Sequence, residues 1–333
     1  MNVPEWSTLV ALTMRRFAPA NIILVYQESR IDWNDFNDIA RRIDAKAPHI
    51  NVHFVVPQDT IDMLPPHVWQ LPTITVSFGA TGRFVPLRGP VFANKAIPKL
   101  NQAALLERAG VATPKTALFK FGMQLSTEEW GEFVILKPAS LSLSSSGEGI
   151  YLYRSRRLQG LRADDLPEHH FARRTRMLVQ RLVDTGERPS KQRITTLFGE
   201  PFHWAYSENR AARPSLLASD ELLDGAVVST SASGQRTWSY REPSQEMFDF
   251  ARRAAAVFPT TPLLGLDILS CNVTDKLYCL EVNAGGNVWH YSSSLAAEER
   301  AKHPENFPNA QQKHWSFDKA AEILINKALL AAH

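Results

Sequence analysis

Residues 262–283 read PLLGLDILSCNVTDKLYCLEVN, two apolar runs joined by a short polar segment. Each run has the length and composition of a buried strand, and the short connection predicts that the two strands form an antiparallel hairpin. The turn is expected near VTD. If Asn272 then pairs with Lys276, Asp267 lies directly opposite Glu281. The hairpin is therefore predicted to bring two carboxylates face to face within an apolar sheet.

Asn283 follows Glu281 by two residues and is expected on the same face, because side chains alternate along a strand. Two facing carboxylates repel each other unless a cation lies between them. Carboxylate and amide oxygens suit Mg²⁺ far better than Zn²⁺. The hairpin alone leaves two interpretations open, which are a magnesium site and a salt-bridged pair of acids at the edge of a sheet.

Lys137 ends a second apolar strand, in VILKPASLSLSSSGEGI (residues 134–150). An ammonium group is costly to bury there unless it meets an anion. The loop that follows contains five serines and two glycines, whose hydroxyl and backbone N–H groups are donors of the kind that close over phosphates. An ordinary flexible loop has the same composition. Lys99, at the start of the helix in IPKLNQAALLERAG, is ambiguous in the same way, since a lysine at a helix start is usually a solvated surface residue.

The first part of the chain predicts a small parallel sheet. Strand-like segments at residues 21–27, 51–57 and 73–79 alternate with an amphipathic helix at residues 32–46, the pattern of a βαβ unit without a GxGxxG turn. Further on, MLVQRLV, RITTLFG and PFHWAYS are predicted as strands of one antiparallel sheet. The amphipathic segment WSFDKAAEILINKALLAA near the end is predicted to pack on the C-terminal lobe.

Composition narrows the class of protein. The 333 residues are 44% hydrophobic, enough for two or three packed units. The 37 basic and 34 acidic residues nearly balance, which gives no reason to expect a nucleic-acid partner. The two cysteines indicate a reducing compartment. No signal-peptide pattern and no apolar run of ~18 residues is present, so we expect a soluble cytoplasmic protein without a membrane span.

Together, four segments in this order resemble the ATP-grasp superfamily, over roughly residues 90–295. PKLNQAALLERAGVATP is similar to the family's lysine-bearing helix, and VILKP with its Gly-rich loop to the second nucleotide lysine and the phosphate loop. LVQRLVDTG is similar to the hinge strand, and GLDIL with YCLEVN to the metal hairpin. The resemblance implies an α/β and α+β fold. A small βαβ domain (residues 1–93) would precede two ATP-grasp lobes, an N-lobe with the phosphate loop (94–182) and a C-lobe with the metal hairpin and the C-terminal helix (183–333).

The resemblance also implies roles for individual residues. ATP would be bound by Lys99, Lys137, Ser145, Gly147, Gln180, Leu182, Val183 and Glu187. The ribose hydroxyls would be held by Asp184 or Glu187, with Glu187 favoured. One or two Mg²⁺ ions would be held by Asp267, Glu281 and Asn283. Catalytic contacts are expected from Arg193, Arg210 and Arg213, of which Arg210 and Arg213 also fit ordinary surface loop arginines.

The implied activity is that of the carboxylate–amine ligase branch, which includes glutathione synthetase, D-alanine–D-alanine ligase and ribosomal-protein glutamate ligases. ATP would phosphorylate a small carboxylate substrate, and an amine substrate such as an amino acid or peptide would attack the acyl phosphate. Many relatives form dimers or tetramers, but no feature of the sequence marks an interface, so the resemblance leaves both a monomer and a homo-oligomer open. Two alternatives remain, a small-molecule kinase with the same nucleotide site and a catalytically silent nucleotide-binding module.

The sequence departs from the family pattern at three places. Arg181 stands where many relatives carry an acid after the hinge glutamine, and Gly265 where several carry an arginine before the metal aspartate. After Asn283 the usual small residues and proline are replaced by AGGNVWHYSS. Trp289 and His290 in this segment are candidates for the substrate side, with a structural role as the alternative.

Overall fold

The computed structural model describes residues 18–27, 33–140, 149–227, 236–284, 289, 291, 301, 304 and 310–331. Within these residues the chain forms a four-stranded sheet followed by two five-stranded sheets. The predicted combination of a βαβ domain with two α+β lobes is therefore confirmed.

The N-terminal sheet is parallel, with the strand order β2-β1-β3-β4. Its elements are β1 (Ala20–Val25), α1 (Trp33–Lys46), β2 (Ile50–Val55), β3 (Thr73–Ser77) and β4 (Val91–Ala93). All six residues of β1 are buried. Apolar side chains cover the strand on both faces, from α1 on one side and from the segment around Leu64 and Val68 on the other. An uninterrupted apolar run is the pattern that such a strand requires.

The second sheet belongs to the N-lobe and has the order β11-β7-β6-β8-β5, with every neighbouring pair antiparallel. Its strands are β5 (Thr116–Leu118), β6 (Phe133–Pro138), β7 (Tyr151–Arg154), β8 (Met177–Arg181) and β11 (Ala226–Val227). The helices around it are α2 (Lys99–Arg108), α3 (Thr127–Trp130), α4 (Ser155–Leu158), α5 (Phe171–Arg174) and α6 (Asp220–Leu223). The Ser126 hydroxyl caps α3 by accepting the Glu129 N–H (3.3 Å).

The third sheet belongs to the C-lobe and has the order β12-β10-β9-β13-β14, again antiparallel throughout. Its elements are β9 (Ser190–Leu197), β10 (Glu200–Asn209), β12 (Arg236–Ser239), α7 (Gln245–Ala256), β13 (Leu263–Ser270) and β14 (Leu277–Ala284). The prediction that MLVQRLV shares this sheet is wrong. Its strand, β8, lies between β5 and β6 of the N-lobe, because an apolar strand pattern does not specify the neighbouring strand.

The predicted hairpin is β13 and β14, but its register differs near the turn. The expected pairing of Asn272 with Lys276 would place Ser270 opposite Tyr278. Ser270 instead pairs with Leu277, which shifts the register by one residue. A bulge next to Asp267 leaves Leu280 as an extra residue in β14 and shifts the register back. Asp267 therefore does lie opposite Glu281, as predicted.

The long helix α8 (Ala310–Ala331) packs against both the N-terminal sheet and the C-lobe sheet. Its Phe317 and Leu324 share one core with Ile22 of β1 and with Phe202 of β10. The helix thus contacts the C-lobe as predicted, and it also covers the N-terminal sheet and α1. None of the helices in the described part of the chain combines the length and apolar character that a membrane crossing needs.

Candidate active site

A cleft between the N-lobe and C-lobe sheets collects most of the residues singled out in the sequence. Its empty volume is about 960 Å³, including the part that opens to solvent. The side chains that line it come from β6, β8, β9, β13 and β14 and from the connection after β8. Of the predicted residues, the lining includes Lys99, Lys137, Gln180, Leu182, Val183, Asp184, Arg213, Asp267 and Glu281.

Part of the cleft lining is apolar. Ile135 and Ile150 face the cleft from the N-lobe, and Leu269 and Leu280 face it from the C-lobe. Leu280 and Glu281 are consecutive residues that both line the cleft, an arrangement that a regular strand would not allow. The bulge in β14 makes it possible, because the extra residue breaks the alternation of side chains. The hairpin thus supplies both an apolar wall and a carboxylate to the same space.

Lys137 lines the cleft and is held by a chain of hydrogen bonds. Its Nζ donates to Gln180 Oε1 (2.8 Å), and Gln180 Nε2 donates to Thr116 Oγ1 (2.7 Å). Burial, followed by the nearby positive charge of Lys99, lowers the pKa of Lys137 to about 8. The ammonium group is therefore placed where a bound anion would stabilise its charge.

Asp267 is the most heavily engaged carboxylate in the cleft. Its Oδ1 accepts a hydrogen bond from Arg193 Nε (2.7 Å), and its Oδ2 accepts from Arg193 Nη2 (2.9 Å) and Lys191 Nζ (2.8 Å). Burial alone would raise the pKa of Asp267, but Arg193 and Lys191 lower it well below its usual range. The side chain is only 2% exposed, so this is a buried charge cluster rather than a surface ion pair.

Glu281 is less constrained. Its Oε1 lies 3.6 Å from Lys99 Nζ, and its side chain is 20% exposed. Lys99 is the first residue of α2, and α2 is fixed against β14 because Gln102 Oε1 accepts the Val282 N–H (2.8 Å). The lysine that sequence alone could not distinguish from a surface residue is buried beside the hairpin.

The ligand set predicted for Mg²⁺ divides into two parts. Among the described residues, no group of three His, Cys, Asp or Glu side chains is arranged to hold a metal ion. Both oxygens of Asp267 already accept hydrogen bonds from cations. Glu281 and Asn283 fit a magnesium ion better, since they supply hard oxygens and the Asn283 amide nitrogen is turned to Gly265 O (3.4 Å), leaving the amide oxygen as its ligand atom.

The predicted arginines and ribose ligands are placed differently from one another. Arg213 lines the cleft and donates through Nη2 to Asp184 Oδ1 (2.8 Å). Arg193 is directed to Asp267, while Arg210 is exposed and is not among the residues that line the cleft. Glu187 is also exposed outside that lining, whereas Asp184 is part of it. Proximity therefore favours Asp184 over Glu187.

Trp289 has a structural position. It is 1% exposed, its ring stacks on Phe78 and Phe317, and its Nε1 donates to Asp35 Oδ2 (2.8 Å). Three residues named in the sequence analysis, Ser145, Gly147 and His290, lie outside the described residues.

Lys191 is a basic cleft residue that the sequence analysis missed. It precedes Arg193 by two residues in β9, so both side chains project from the same face of the strand. The signal was therefore present once Arg193 had been singled out.

Solved structures match this chain over nearly its full length. The D-cycloserine synthetase DcsG shares 12% identity over 91% of this chain and 99% of its own, with a TM-score of 0.48. The ATP-grasp ligase PsnB, complexed with minimal precursor, shares 14% identity over 93% and 99%, with a TM-score of 0.47. The RimK domain ATP-grasp protein from Sphaerobacter thermophilus shares 13% identity over 93% of this chain and 99% of its own, with a TM-score of 0.47.

The chain resembles ATP-grasp ligases. At such low identity this likeness concerns the fold alone. No family profile matches the sequence, and no curated protein matches it either.

Proposed function

We propose that the chain is an ATP-dependent ligase that joins a carboxylate to an amine through an acyl phosphate. The observation that carries the proposal is the composition of the cleft. Four apolar side chains that suit a base share the cleft with five basic side chains that suit phosphates and with a partly exposed carboxylate, Glu281. The basic residues are Lys99, Lys137, Arg181, Lys191 and Arg213.

The nucleotide would lie along the cleft with its base against the apolar side chains and its phosphates against the basic side chains. The base fits between Ile135 and Leu280, next to the connection that contains Leu182 and Val183. Asp184 is the acid within reach of a ribose in this orientation. Lys99 and Lys137 would then neutralise the phosphates, and Gln180 would hold Lys137 in place.

Chemistry would begin with attack of a carboxylate oxygen on the γ-phosphorus of ATP. The new bond joins this oxygen to phosphorus, the bond from phosphorus to the β,γ-bridging oxygen breaks, and ADP leaves. The amine nitrogen then attacks the acyl carbon, an amide bond forms, and phosphate leaves with the electron pair of the broken C–O bond. The amine also loses a proton. Arg213 lines the cleft and could orient the carboxylate substrate through two parallel hydrogen bonds.

Magnesium, when bound, offsets the negative charge of the phosphates. Glu281 and Asn283 are the residues that would hold it. Lys99 contacts Glu281 (3.6 Å) and would therefore link the ion site to the phosphates. The buried side chains around the cleft would keep water away from the acyl phosphate.

The proposal is tested by measuring ADP release in a screen of amino acids and dipeptides, with mass spectrometry of the products. We expect ADP to form only when a carboxylate and an amine are both present, and the product to have gained an amide bond. Lys137→Met should abolish this activity, whereas Lys120→Met, at an exposed position, should not. A stable phosphorylated product formed without an amine would instead identify a kinase.

A further inference from the structure

The charge of the cleft bears on whether one or two divalent ions bind there. Asp184 of the cleft lining is paired with Arg213. Around the other two carboxylates, Asp267 and Glu281, stand four basic groups, those of Lys99, Lys137, Lys191 and Arg193. With all six groups ionised, positive charges exceed negative charges by two before any ligand binds. A divalent cation binds less favourably in such surroundings than in an acidic site, because like charges in a poorly solvated space repel each other strongly.

The excess positive charge is concentrated on the Asp267 side. Lys191 Nζ and the two Arg193 nitrogens bind both carboxylate oxygens at 2.7–2.9 Å. A metal ion at Asp267 would share oxygens that already accept three charge-assisted hydrogen bonds, and it would stand next to two buried cations that repel it. Nothing comparable restricts Glu281, whose nearest basic group, Lys99, stands 3.6 Å away.

Lys191 is placed to act on a ligand as well as on Asp267. Its side chain lines the cleft and remains 13% exposed, whereas Asp267 is 2% exposed. The charge of Lys191 also acts on Lys137. An ammonium group with three donors can hold Asp267 with one and offer the others to phosphate oxygens.

We propose that Lys191 takes the place of a second divalent ion, so that the cleft holds one metal ion, at Glu281 and Asn283, and one protein cation beside Asp267. This inference rests on the proposed function, because it assumes that phosphates occupy the cleft. In this arrangement Arg193 keeps Asp267 charged and fixed, and Asp267 holds the Lys191 ammonium group towards the phosphates.

Counting bound Mn²⁺ tests this arrangement. Electron paramagnetic resonance would follow a Mn²⁺ titration of the full chain saturated with the non-hydrolysable nucleotide AMPPNP. We expect one Mn²⁺ per nucleotide-bound chain. Two tightly bound ions in the wild type would overturn the inference and leave the proposed function standing. Failure of the wild type to bind AMPPNP at all would overturn both.

Variants supply the second half of the test. Lys191→Met should weaken AMPPNP binding at least tenfold, Lys191→Arg should retain affinity within about threefold because the charge is kept, and Lys120→Met should bind as the wild type does. Unchanged binding by Lys191→Met would contradict the role of Lys191. Thermal unfolding identifies a variant that does not fold. The number of Mn²⁺ ions bound by the wild type tests the single-metal arrangement even if Lys191→Met does not fold.

Discussion

The protein neighbours of Lys137 do little to stabilise its ammonium charge. Its neutral partner Gln180 accepts a single hydrogen bond (2.8 Å), and burial together with Lys99 lowers its pKa from 10.5 to about 8. The unfolded chain therefore binds more protons than the folded chain between these two pH values, and the contribution of Lys137 to stability rises with pH across this window. A buried group that favours its neutral form is typical of functional sites.

Nucleotide binding should reverse this preference. Phosphates near Lys137 stabilise its ammonium form, so binding above pH 8 is expected to take up a fraction of a proton, and affinity should fall as the pH rises, by up to about tenfold per unit. Calorimetry at pH 8.5 in buffers with different ionisation enthalpies measures this uptake. Lys137→Met should lose it. The same proton uptake in the variant and the wild type would rule out Lys137 as the source.

Asp267 and Glu281 face each other but are predicted to matter in opposite ways. Asp267→Asn leaves Lys191 and Arg193 with uncompensated buried charge and should lower the free energy of unfolding by about 3–5 kcal/mol. Glu281→Gln removes one long ion pair (3.6 Å) to the buried Lys99 and should cost about 1–2 kcal/mol, while it abolishes ADP release. Urea denaturation of both variants makes the comparison. Equal losses of stability would be inconsistent with the different surroundings of the two carboxylates.

The β13–β14 hairpin shows how far sequence reasoning reaches at the scale of an element. Apolar runs around a short turn predicted both strands and the pairing of Asp267 with Glu281, and both are present. The prediction assumed a regular ladder, whereas the tighter turn and the bulge at Leu280 compensate each other. Local pattern could not reveal the bulge, because it depends on how the strand packs against the cleft.

Partners distant in sequence were harder to predict. The apolar pattern of MLVQRLV did not show that β8 lies in the N-lobe sheet, since many strands present the same apolar surface. The resemblance to the ATP-grasp superfamily did place residues 94–182 in the N-lobe. The ion pair of Lys191 with Asp267 joins residues far apart in the chain (2.8 Å), so only the fold reveals that Asp267 is already occupied. Residue types and order predicted the candidate site, and long-range contacts decided how each residue is used.

The contact between α1 and α8 carries a prediction of its own. Asp35 in α1 is buried, and its oxygens accept hydrogen bonds from Trp289 Nε1 and Lys313 Nζ, both at 2.8 Å. Asp35→Ala should lower the free energy of unfolding by about 3 kcal/mol.

Asp38 provides a matched control on the same helix. Its ion pairs with Arg41 (3.6 Å) and Arg42 (3.5 Å) lie near the surface, so Asp38→Ala should cost less than about 1 kcal/mol. Chemical denaturation compares the two variants. A cost for Asp38→Ala as large as that for Asp35→Ala would show that α1 does not depend on its buried acid.

At the scale of the whole molecule, the C-lobe and the N-terminal domain are joined into one body. The buried Asn94 side chain donates to Leu263 O (2.9 Å) and accepts the Leu263 N–H (3.2 Å), in the manner of a strand neighbour. A shared core of β1, β10 and α8 side chains extends this contact. The N-lobe has a separate core around Leu136 and Val179. The cleft therefore lies between independently packed units, a usual place for a ligand.

The most direct test of the central claim is calorimetric titration of the wild-type chain with AMPPNP in the presence of Mg²⁺. The cleft predicts one nucleotide per chain, with affinity at least tenfold lower in Lys137→Met. Absence of binding to the wild type, or equal affinity in the variant, would contradict the assignment of this cleft to ATP.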